Sequence, residues 1–191
     1  MTVKIFFISD LHLSHKNLRK FREERSGVYF NNIEEMDDWL IDNINSVVRP
    51  KDHLWILGDV AWGSTGMNKV RRINGKKHLV LGNHDKYTIN EISRDFASVH
   101  GVYKKYDIIM THVPIHPLSL VFNWRYNMHG HIHHKERDIK DNKYINVNVD
   151  IIGPRPLQLE QIRGRMEEND RLESSIKNRT QDTKDNNSTG N

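Results

Sequence analysis

Hydrophobic and polar positions follow two different rhythms along the chain. Short apolar runs rich in β-branched and aromatic residues predict buried or half-buried strands. These runs are Lys4–Ile8, His53–Leu57, His78–Leu81, Ile108–Met110 and Tyr144–Val149, with a weaker candidate at Ala97–Tyr103. Between them, Asn32–Val48 repeats its apolar positions about every 3.6 residues and opens on an asparagine followed by acidic residues, which predicts a helix.

Shorter helices are predicted at Met67–Ile73 and Leu157–Arg163. Strands separated by helices favour an α/β fold in which helices cover a central sheet. The length of 191 residues favours one domain, which we place at residues 1–163. Residues 164–191 form a polar extension that we expect to be helical to about Asn178 and disordered from Arg179 onward, where large apolar residues stop.

Composition narrows the chemistry, because the chain contains 12 histidines and no cysteine. Disulfide scaffolds, thiolate zinc sites, iron–sulfur clusters and cysteine nucleophiles are thereby excluded. No apolar run approaches the ~18–20 residues of a membrane helix or the apolar core of a secretory signal, so we expect a cytoplasmic protein with no membrane partner. The net charge of +4 is a mild basic bias, not the pattern of a dedicated DNA binder.

Groups of Asp, Asn and His residues follow the strand-like runs, in ISDLHL, ILGD, LVLGNHD, IIMTH and MHGHIHH. Because ligands bind at the carboxyl edge of open α/β sheets, we expect these side chains to converge there. Strand alternation would point Asp10 and His12 to one side, where one ion could take both, and likewise His131 and His133. Mixed nitrogen and oxygen ligands suit Mn, Fe, Zn, Ni or Co better than Mg.

Taken in order, the motifs D-x-H, G-D, G-N-H-D, H and G-H-x-H resemble the signature of the calcineurin-like metallophosphoesterase superfamily. They span Asp10 to His133, and the segments INGKKHLVLGNHD and NVNVDIIGPRPLQLEQI resemble its small single-domain members. The resemblance implies a four-layer α/β/β/α sandwich with two divalent metal ions at the carboxyl ends of the strands. One ion would be held by Asp10, His12, Asp59 and His133, and the other by Asp59, Asn83, His112 and His131, with Asp59 as the bridge.

The same resemblance implies a metal-dependent phosphoric ester hydrolase. Metal-bound hydroxide would attack phosphorus, His84 would protonate the leaving oxygen, and Asp85 would favour the charged form of His84. Protein phosphatases of the superfamily carry an Arg soon after G-D and have G-N-H-E, whereas this chain has GDVAWGS and GNHD. We therefore expect a phosphodiester or phosphomonoester substrate of nucleotide-like chemistry, with a phosphodiester favoured over a phosphoprotein.

Two alternatives to this enzyme stay open: a non-catalytic metal- or nucleotide-binding scaffold, and an RNA or DNA nuclease of the same fold. A homo-oligomer is also open, since related small phosphoesterases self-associate. Four residues are candidates for substrate contact, namely His15, Trp62, His116 and Arg125. For each of them the competing interpretation is an ordinary surface or packing role.

Overall fold

The computed structural model describes the backbone of residues 2–121 and 123–188, and side chains as far as residue 176. The strands are β1 (Ile5–Ile8), β2 (His53–Ile56), β3 (Lys76–Val80), β4 (Ser98–His100), β5 (Tyr103–Lys105), β6 (Ile108–Met110), β7 (Tyr126–His129), β8 (Tyr144–Asn146) and β9 (Leu157–Gln158). The helices are α1 (Arg19–Ser26), α2 (Ile33–Asn45), α3 (Gly63–Val70), α4 (Ile89–Ile92), α5 (Val149–Ile152) and α6 (Leu159–Ser188). Short 3-10 turns occupy Lys16–Leu18, Pro117–Ser119 and Lys135–Arg137.

The strands form two sheets, one of five strands in the order β4-β3-β2-β1-β9 and one of four in the order β5-β6-β7-β8. Strands β1 to β4 are parallel, and so are β6 to β8, while β9 and β5 are antiparallel edge strands. Parallel neighbours need crossover connections, which the helices and long loops supply. The carboxyl ends of the parallel strands in each sheet therefore share one edge.

Both faces of the five-stranded sheet are buried. On one face Leu54 and Ile56 belong to a hydrophobic core with Leu40 and Ile44 of α2. On the other face Trp55 stacks on Tyr103 of β5, with 4.4 Å between ring centroids, which brings the two sheets together. The fold is thus mixed α/β with two sheets flanked by helices, as the resemblance implied.

Helix α2 follows the predicted helix closely, because its start is capped locally. The side chain of Asn32 accepts a hydrogen bond from the backbone N–H of Glu35 at 2.8 Å, which satisfies one of the free donors of the first turn. The helix ends at Asn45, and Ser46 closes it with a backbone bond to Asp42, three residues before the predicted end at Val48.

Several elements differ from the sequence predictions. Strand β7 was missed, because all four of its residues are buried and its sequence YNMH does not alternate. The weak candidate Ala97–Tyr103 is two strands, β4 and β5, which belong to different sheets. Leu157 does not start a helix: it pairs with Phe7 in β9, because two residues there complete the sheet before the helix begins.

The chain divides into two compact units, one ending at Leu159 and one comprising residues 160–191. The second unit contains α6, which continues as helix to Ser188, ten residues beyond the predicted end at Asn178. The segment from Arg179 to Ser188 contains no proline or glycine that would interrupt a helix, and the expected disorder from Arg179 stays a prediction. Residues 189–191 lie outside the described residues, and the domain boundary at residue 163 stays a prediction.

Across the two described ranges, none of the helices is both long enough and apolar enough to cross a membrane.

Candidate metal centre

The loops that follow the parallel strands are tied to one another at the carboxyl edge of the sheets. Backbone N–H groups of Asp10 and His12 donate to the carbonyls of Gly58 and Asp59, each at 3.0 Å, which joins the first loop to the second. The backbone N–H of His131 donates to the Asp10 carboxylate at 3.0 Å, which joins the two sheets. The predicted ligand motifs therefore meet at one place.

Four of the predicted ligands sit on left-handed backbone. The φ angles are 60° at Asp10, 47° at His12, 52° at Asp59 and 68° at His131. Such angles are uncommon outside glycine and cluster at functional sites. The strand-alternation argument was therefore wrong about how Asp10 and His12 come together: the chain curls at each residue instead of continuing as strand.

A single oxygen lies at the centre of the site. Asp59 Oδ2 is 3.6 Å from His12 Nε2 and 3.3 Å from His112 Nε2, so it stands between the two rings. Although burial opposes it, the nearby His112 imidazole lowers the pKa of the Asp59 carboxyl to about 2. Burial lowers the pKa of His12 to about 4. Asp59 thus lies between His12 and His112, which the resemblance assigned to different ions.

His133 and Asp10 form a second pair on one side of that oxygen. His133 Nε2 is 3.4 Å from Asp10 Oδ1, and its other nitrogen, Nδ1, is 2.7 Å from Asp150 Oδ2. Burial opposes protonation, but the hydrogen bonds to Asp10 and Asp150 raise the pKa of His133 to about 9. A carboxylate behind an imidazole fixes which nitrogen faces the site and increases its basicity.

The buried side chain of Arg22 supports both the Asp10 loop and the His133–Asp150 pair. Its side chain is only 2% exposed, and it donates to the carbonyls of Leu11 and Asp10 at 2.9 and 3.1 Å and to Asp150 Oδ1 at 3.0 Å. One buried guanidinium therefore holds both the loop that presents Asp10 and the carboxylate that orients His133.

Asn83 and His131 lie together on the exposed rim of the centre. Asn83 Oδ1 is 3.1 Å from His131 Nδ1, and the His131 ring is edge-on to His112 with 5.2 Å between centroids. His131 and His133 therefore go to different sides, which corrects the expectation that alternation would bring them to one ion. Three of the four residues named for the second ion, Asn83, His112 and His131, are neighbours.

His84 lies over the centre, and its own backbone is fixed there. Its N–H donates to Asp59 Oδ1 at 2.9 Å, and its exposed ring lies 5.8 Å from the ring of His12, centroid to centroid. The position suits a group that meets the substrate without holding a metal.

Asp85 does not support His84 in the way that the sequence suggested. Its carboxylate accepts three backbone N–H groups, from Asp59 at 2.9 Å, Val60 at 2.9 Å and Gly82 at 2.8 Å. Both oxygens are therefore engaged in joining the second loop to the third. Adjacent residues in a tight loop point in different directions, which is why sequence adjacency to His84 was misleading.

Two of the four predicted substrate contacts border the centre. The ring of His15 is edge-on to Trp62 at 4.5 Å and to His12 at 5.6 Å between centroids. Trp62 is 49% exposed and lies 5.8 Å from the His84 ring. Trp62 is therefore an open aromatic surface beside the centre.

The other two predicted contacts are corrected by the structure. His116 accepts the N–H of Leu118 at 3.2 Å and so caps a 3-10 turn. Arg125 binds Asp107 at 2.7 Å and precedes β7, so the four residues from it to His129 carry it about 13 Å from the carboxyl edge. Arg125 was misplaced because β7 was not recognised as a strand.

Two glycines make room for the ligands. A Cβ at Gly130 would lie 2.3 Å from Asp10 Oδ2, and one at Gly58 would lie 2.5 Å from His112 Nδ1. Contacts this short do not occur, so any side chain at these positions would displace a ligand.

The donor set fits divalent cations. Two nearly inaccessible carboxylates, Asp10 and Asp59, converge, and burying converging anions without a cation is unfavourable. His112 Nε2 is buried without a hydrogen bond, although it lies 3.3 Å from Asp59 Oδ2. Ligands about 2.0–2.2 Å from one ion lie about 3–3.6 Å apart, the spacing found here. Among the described residues, two groups bring their donor atoms within 4.8 Å of one another: Asp10, His12 and His133, and Asp10, Asp59 and His112.

The family model for calcineurin-like phosphoesterases matches residues 3–180, nearly the whole chain. The chain belongs to this family. The match extends from the ligand loops into α6, and it agrees with the two-sheet architecture and the grouped metal donors.

Relatives of this calcineurin-like phosphoesterase are found in archaea and phages. An uncharacterised protein of Methanocaldococcus jannaschii is 34% identical over 167 residues, which covers 83% of this chain and 89% of that protein. The Gene 66 protein of Mycobacterium phage L5 is 36% identical over 103 residues, covering 51% of this chain and 46% of the phage protein. A solved structure of a protein of unknown function from Aquifex aeolicus shares the fold, with a TM-score of 0.65 at 24% identity, covering 85% of this chain and 99% of that one.

Sequence reasoning missed two residues of this phosphoesterase, Arg22 and Asp150. They are separated by 128 positions, so no local pattern joins them. A weak signal existed for Asp150, which lies inside the NVNVDIIGP segment used for the resemblance. Arg22 had none, because it is one of several charged residues in RKFREERS.

Proposed function

We propose that this chain is a dinuclear-metal phosphoesterase that hydrolyses a phosphate ester of nucleotide-like chemistry. The observation that carries the proposal is the position of Asp59 Oδ2, 3.6 Å from His12 Nε2 and 3.3 Å from His112 Nε2, between the two imidazoles. A carboxylate oxygen shared between two sets of imidazoles is suited to bridge two cations. Membership of the family supports the same chemistry.

Bound divalent cations would withdraw charge from the phosphoryl oxygens and lower the pKa of water, which makes hydrolysis feasible near neutral pH. Asp10, Asp59 and the histidines would hold them in place. Arg22 and Asp150 fix the loop of Asp10 and the ring of His133 before substrate arrives, so little reorganisation is needed. Mixed nitrogen and oxygen donors favour Mn, Fe, Zn, Ni or Co.

His84 would serve as the general acid in this scheme. Its ring is exposed over the centre and its backbone is held by Asp59, so the ring can reach a leaving oxygen without losing its place. A proton delivered there prevents the build-up of negative charge on the departing alcohol, an effect typically worth about 10²–10⁴ in rate. The exposed face of Trp62 beside it suits a ring-bearing leaving group.

The test compares His84→Asn with wild type on two esters, phenyl phosphate and 4-nitrophenyl phosphate, in the presence of Mn²⁺. We expect kcat on phenyl phosphate to fall about 100-fold or more. The loss on 4-nitrophenyl phosphate should be much smaller, because 4-nitrophenolate leaves readily without a proton. His116→Asn is the matched control, since His116 caps a turn, and it should behave like wild type.

Equal losses on the two esters would show that His84 does not act as the acid. Failure of wild type to hydrolyse either ester with Mn²⁺, Ni²⁺, Zn²⁺ or Co²⁺ would contradict the enzyme and favour a metal-binding scaffold.

A further inference from the structure

Neighbouring aromatic and imidazole side chains form a continuous row of rings across the candidate centre. Trp62 contacts His15 and His84, and His84 lies beside His12. From His12 the row continues to His133, with 5.4 Å between centroids, and from His133 to Phe21 at 6.1 Å. The metal-ligand candidates therefore occupy the middle of the row, and an aromatic side chain stands at each end.

Each end of the row opens into a depression. The Trp62 recess has a volume of about 220 Å³ and is lined by Ala61, Trp62, Gly63, His84, Lys86 and Tyr87. The Phe21 recess has a volume of about 500 Å³ and is lined by Leu18, Phe21, Ile132 and His134, with Arg137 at its edge and His131 and His133 on the side of the centre. The two recesses share no lining residue, and each adjoins a different end of the row.

The side chains that line the Phe21 recess suit the binding of a flat group. The ring of Phe21 is edge-on to His134 at 5.2 Å, and the guanidinium of Arg25 lies over the Phe21 ring at 5.3 Å and bonds His134 Nδ1 at 3.0 Å. These contacts fix the orientation of both rings, so the recess is preformed. Leu18 and Ile132 add apolar surface.

The geometry points to a phosphodiester substrate whose retained ester group lies in the Phe21 recess while its leaving group lies on Trp62. This inference rests on the proposed phosphoesterase function and narrows its substrate class. A phosphomonoester has one organic substituent and would fill only one recess. A diester has two, and they diverge from phosphorus as the two recesses diverge from the centre. The retained group would be a ring-bearing alcohol, such as an aryl or nucleoside ester.

The assignment of sides follows from His84. In an in-line displacement the leaving oxygen departs opposite the attacking water, and the proton it needs comes from His84 in this scheme. His84 lines the Trp62 recess, so the leaving group must lie there. The water oxygen forms a new P–O bond and gives up a proton, while the P–O bond to the leaving group breaks and that oxygen takes the proton of His84. The ester held in the Phe21 recess stays bonded to phosphorus.

The first experiment measures kcat/KM for bis(4-nitrophenyl) phosphate and for 4-nitrophenyl phosphate with the same preparation. We expect Phe21→Ala and Ile132→Ser each to lower the diester-to-monoester ratio about tenfold, because the retained ring loses its apolar partner. Damage to the fold would lower both activities together and leave the ratio unchanged. Tyr29→Ala removes an aromatic ring that is 74% exposed and should keep the wild-type ratio.

The second experiment measures binding without turnover. Phenylphosphonate carries its ring on a P–C bond that cannot act as a leaving group, and methylphosphonate is the same anion without the ring. We expect Phe21→Ala to weaken phenylphosphonate binding to the Mn²⁺-loaded protein about tenfold and to leave methylphosphonate binding unchanged, as measured by calorimetry.

The inference is overturned if the ratio and the phenylphosphonate affinity of Phe21→Ala both match wild type, or if Trp62→Ala weakens phenylphosphonate and Phe21→Ala does not. If wild type hydrolyses neither ester, the proposed function fails, and the phosphonate titrations still decide whether the Phe21 recess holds a ring.

Discussion

The structure contains two groups of histidines, and the two groups differ in the side chains that surround them. The first is the candidate metal centre, where His12, His112 and His133 turn Nε2 toward the Asp10 and Asp59 carboxylates. The second, which we call the histidine row, comprises His53, His78 and His100 on β2, β3 and β4. Their linking oxygen is a neutral hydroxyl, that of Ser98.

The histidine row is a hydrogen-bonded and stacked packing element. His53 Nδ1 lies 2.8 Å from His78 Nε2, and His78 Nδ1 lies 2.7 Å from Ser98 Oγ. The ring of His78 also stacks on Trp55 at 4.6 Å. These ring nitrogens bond to one another and to Ser98, and none of the three histidines belongs to a candidate metal group among the described residues. Histidine content alone therefore does not identify a metal centre.

The pKa values of His78 and His133 shift in opposite directions, although burial opposes the protonation of both rings. Burial, together with the nearby charges of His53 and Lys76, lowers the pKa of His78 to about 4. In the metal centre, burial is outweighed by the bonds of His133 to Asp10 and Asp150, which raise the pKa of His133 to about 9. Carboxylates, and the loops that present them, make the difference between the two.

The largest effect should come from replacing Asp59, whose carboxylate lies between the imidazoles of His12 and His112. Asp59→Asn is expected to lower kcat on an aryl phosphate ester about 1,000-fold or more, since the stabilisation lost is several kcal/mol. Bound metal, measured by elemental analysis after dialysis, should fall with it. His78→Gln is the counterpart in the histidine row and should keep both the activity and the metal content of wild type. Loss of metal in His78→Gln would contradict the division into two groups.

A smaller effect should follow from removing the carboxylate behind His133. Asp150→Asn is expected to weaken metal affinity about 10- to 100-fold, because the His133 ring loses its orienting acceptor. Competitive titration against a chelator measures the affinity. Asp107→Asn is the control, since its ion pair with Arg125 lies near the surface, at 45% and 29% side-chain exposure. Unchanged affinity in Asp150→Asn would mean that Asp150 serves the fold alone.

The histidine row should appear in the pH dependence of stability. The folded pKa of His78 is about 4, below the unfolded value near 6.5, so the unfolded state binds more protons and stability is lost as the pH falls from 7 to 5. Between pH 7 and pH 5, the free energy of unfolding of metal-free wild type should fall by about 1–2 kcal/mol more than that of metal-free His78→Gln. Urea unfolding at both pH values measures this. Parallel losses in the two proteins would contradict it.

The smallest effect is expected at Arg125, the predicted phosphate contact that the structure places at the other end of β7. Arg125→Ala should change the free energy of unfolding by no more than about 0.5 kcal/mol, the typical scale of an exposed ion pair. The rate of ester hydrolysis by Arg125→Ala and the dependence of that rate on salt concentration should match wild type. A clear rise in KM would restore the interpretation drawn from the sequence.

Most candidate donors could be named from the sequence because they follow an apolar run that ends in Gly, Asp, Asn or His. His131 and His133 were named from their motif alone, since the strand before them was not recognised. The sequence could not predict where a side chain points or which residues far along the chain it contacts. Asp85 adjoins His84 yet points into the backbone of two loops, and Arg22 reaches Asp150 across 128 positions. Strand β7 was missed since both of its faces are covered, which removes the alternation that marks a half-buried strand.

The left-handed backbone at Asp10 and Asp59 also constrains how members of this lineage can change. Most residues are strained there, whereas Asn tolerates the conformation about as well as Asp. An Asp-to-Asn replacement at either position would therefore preserve the loop while removing the negative charge that a cation requires. A single substitution can thus remove metal binding while the fold is kept. A descendant of this phosphoesterase that retains the two sheets but binds no metal would be expected to carry asparagine at one of these two positions.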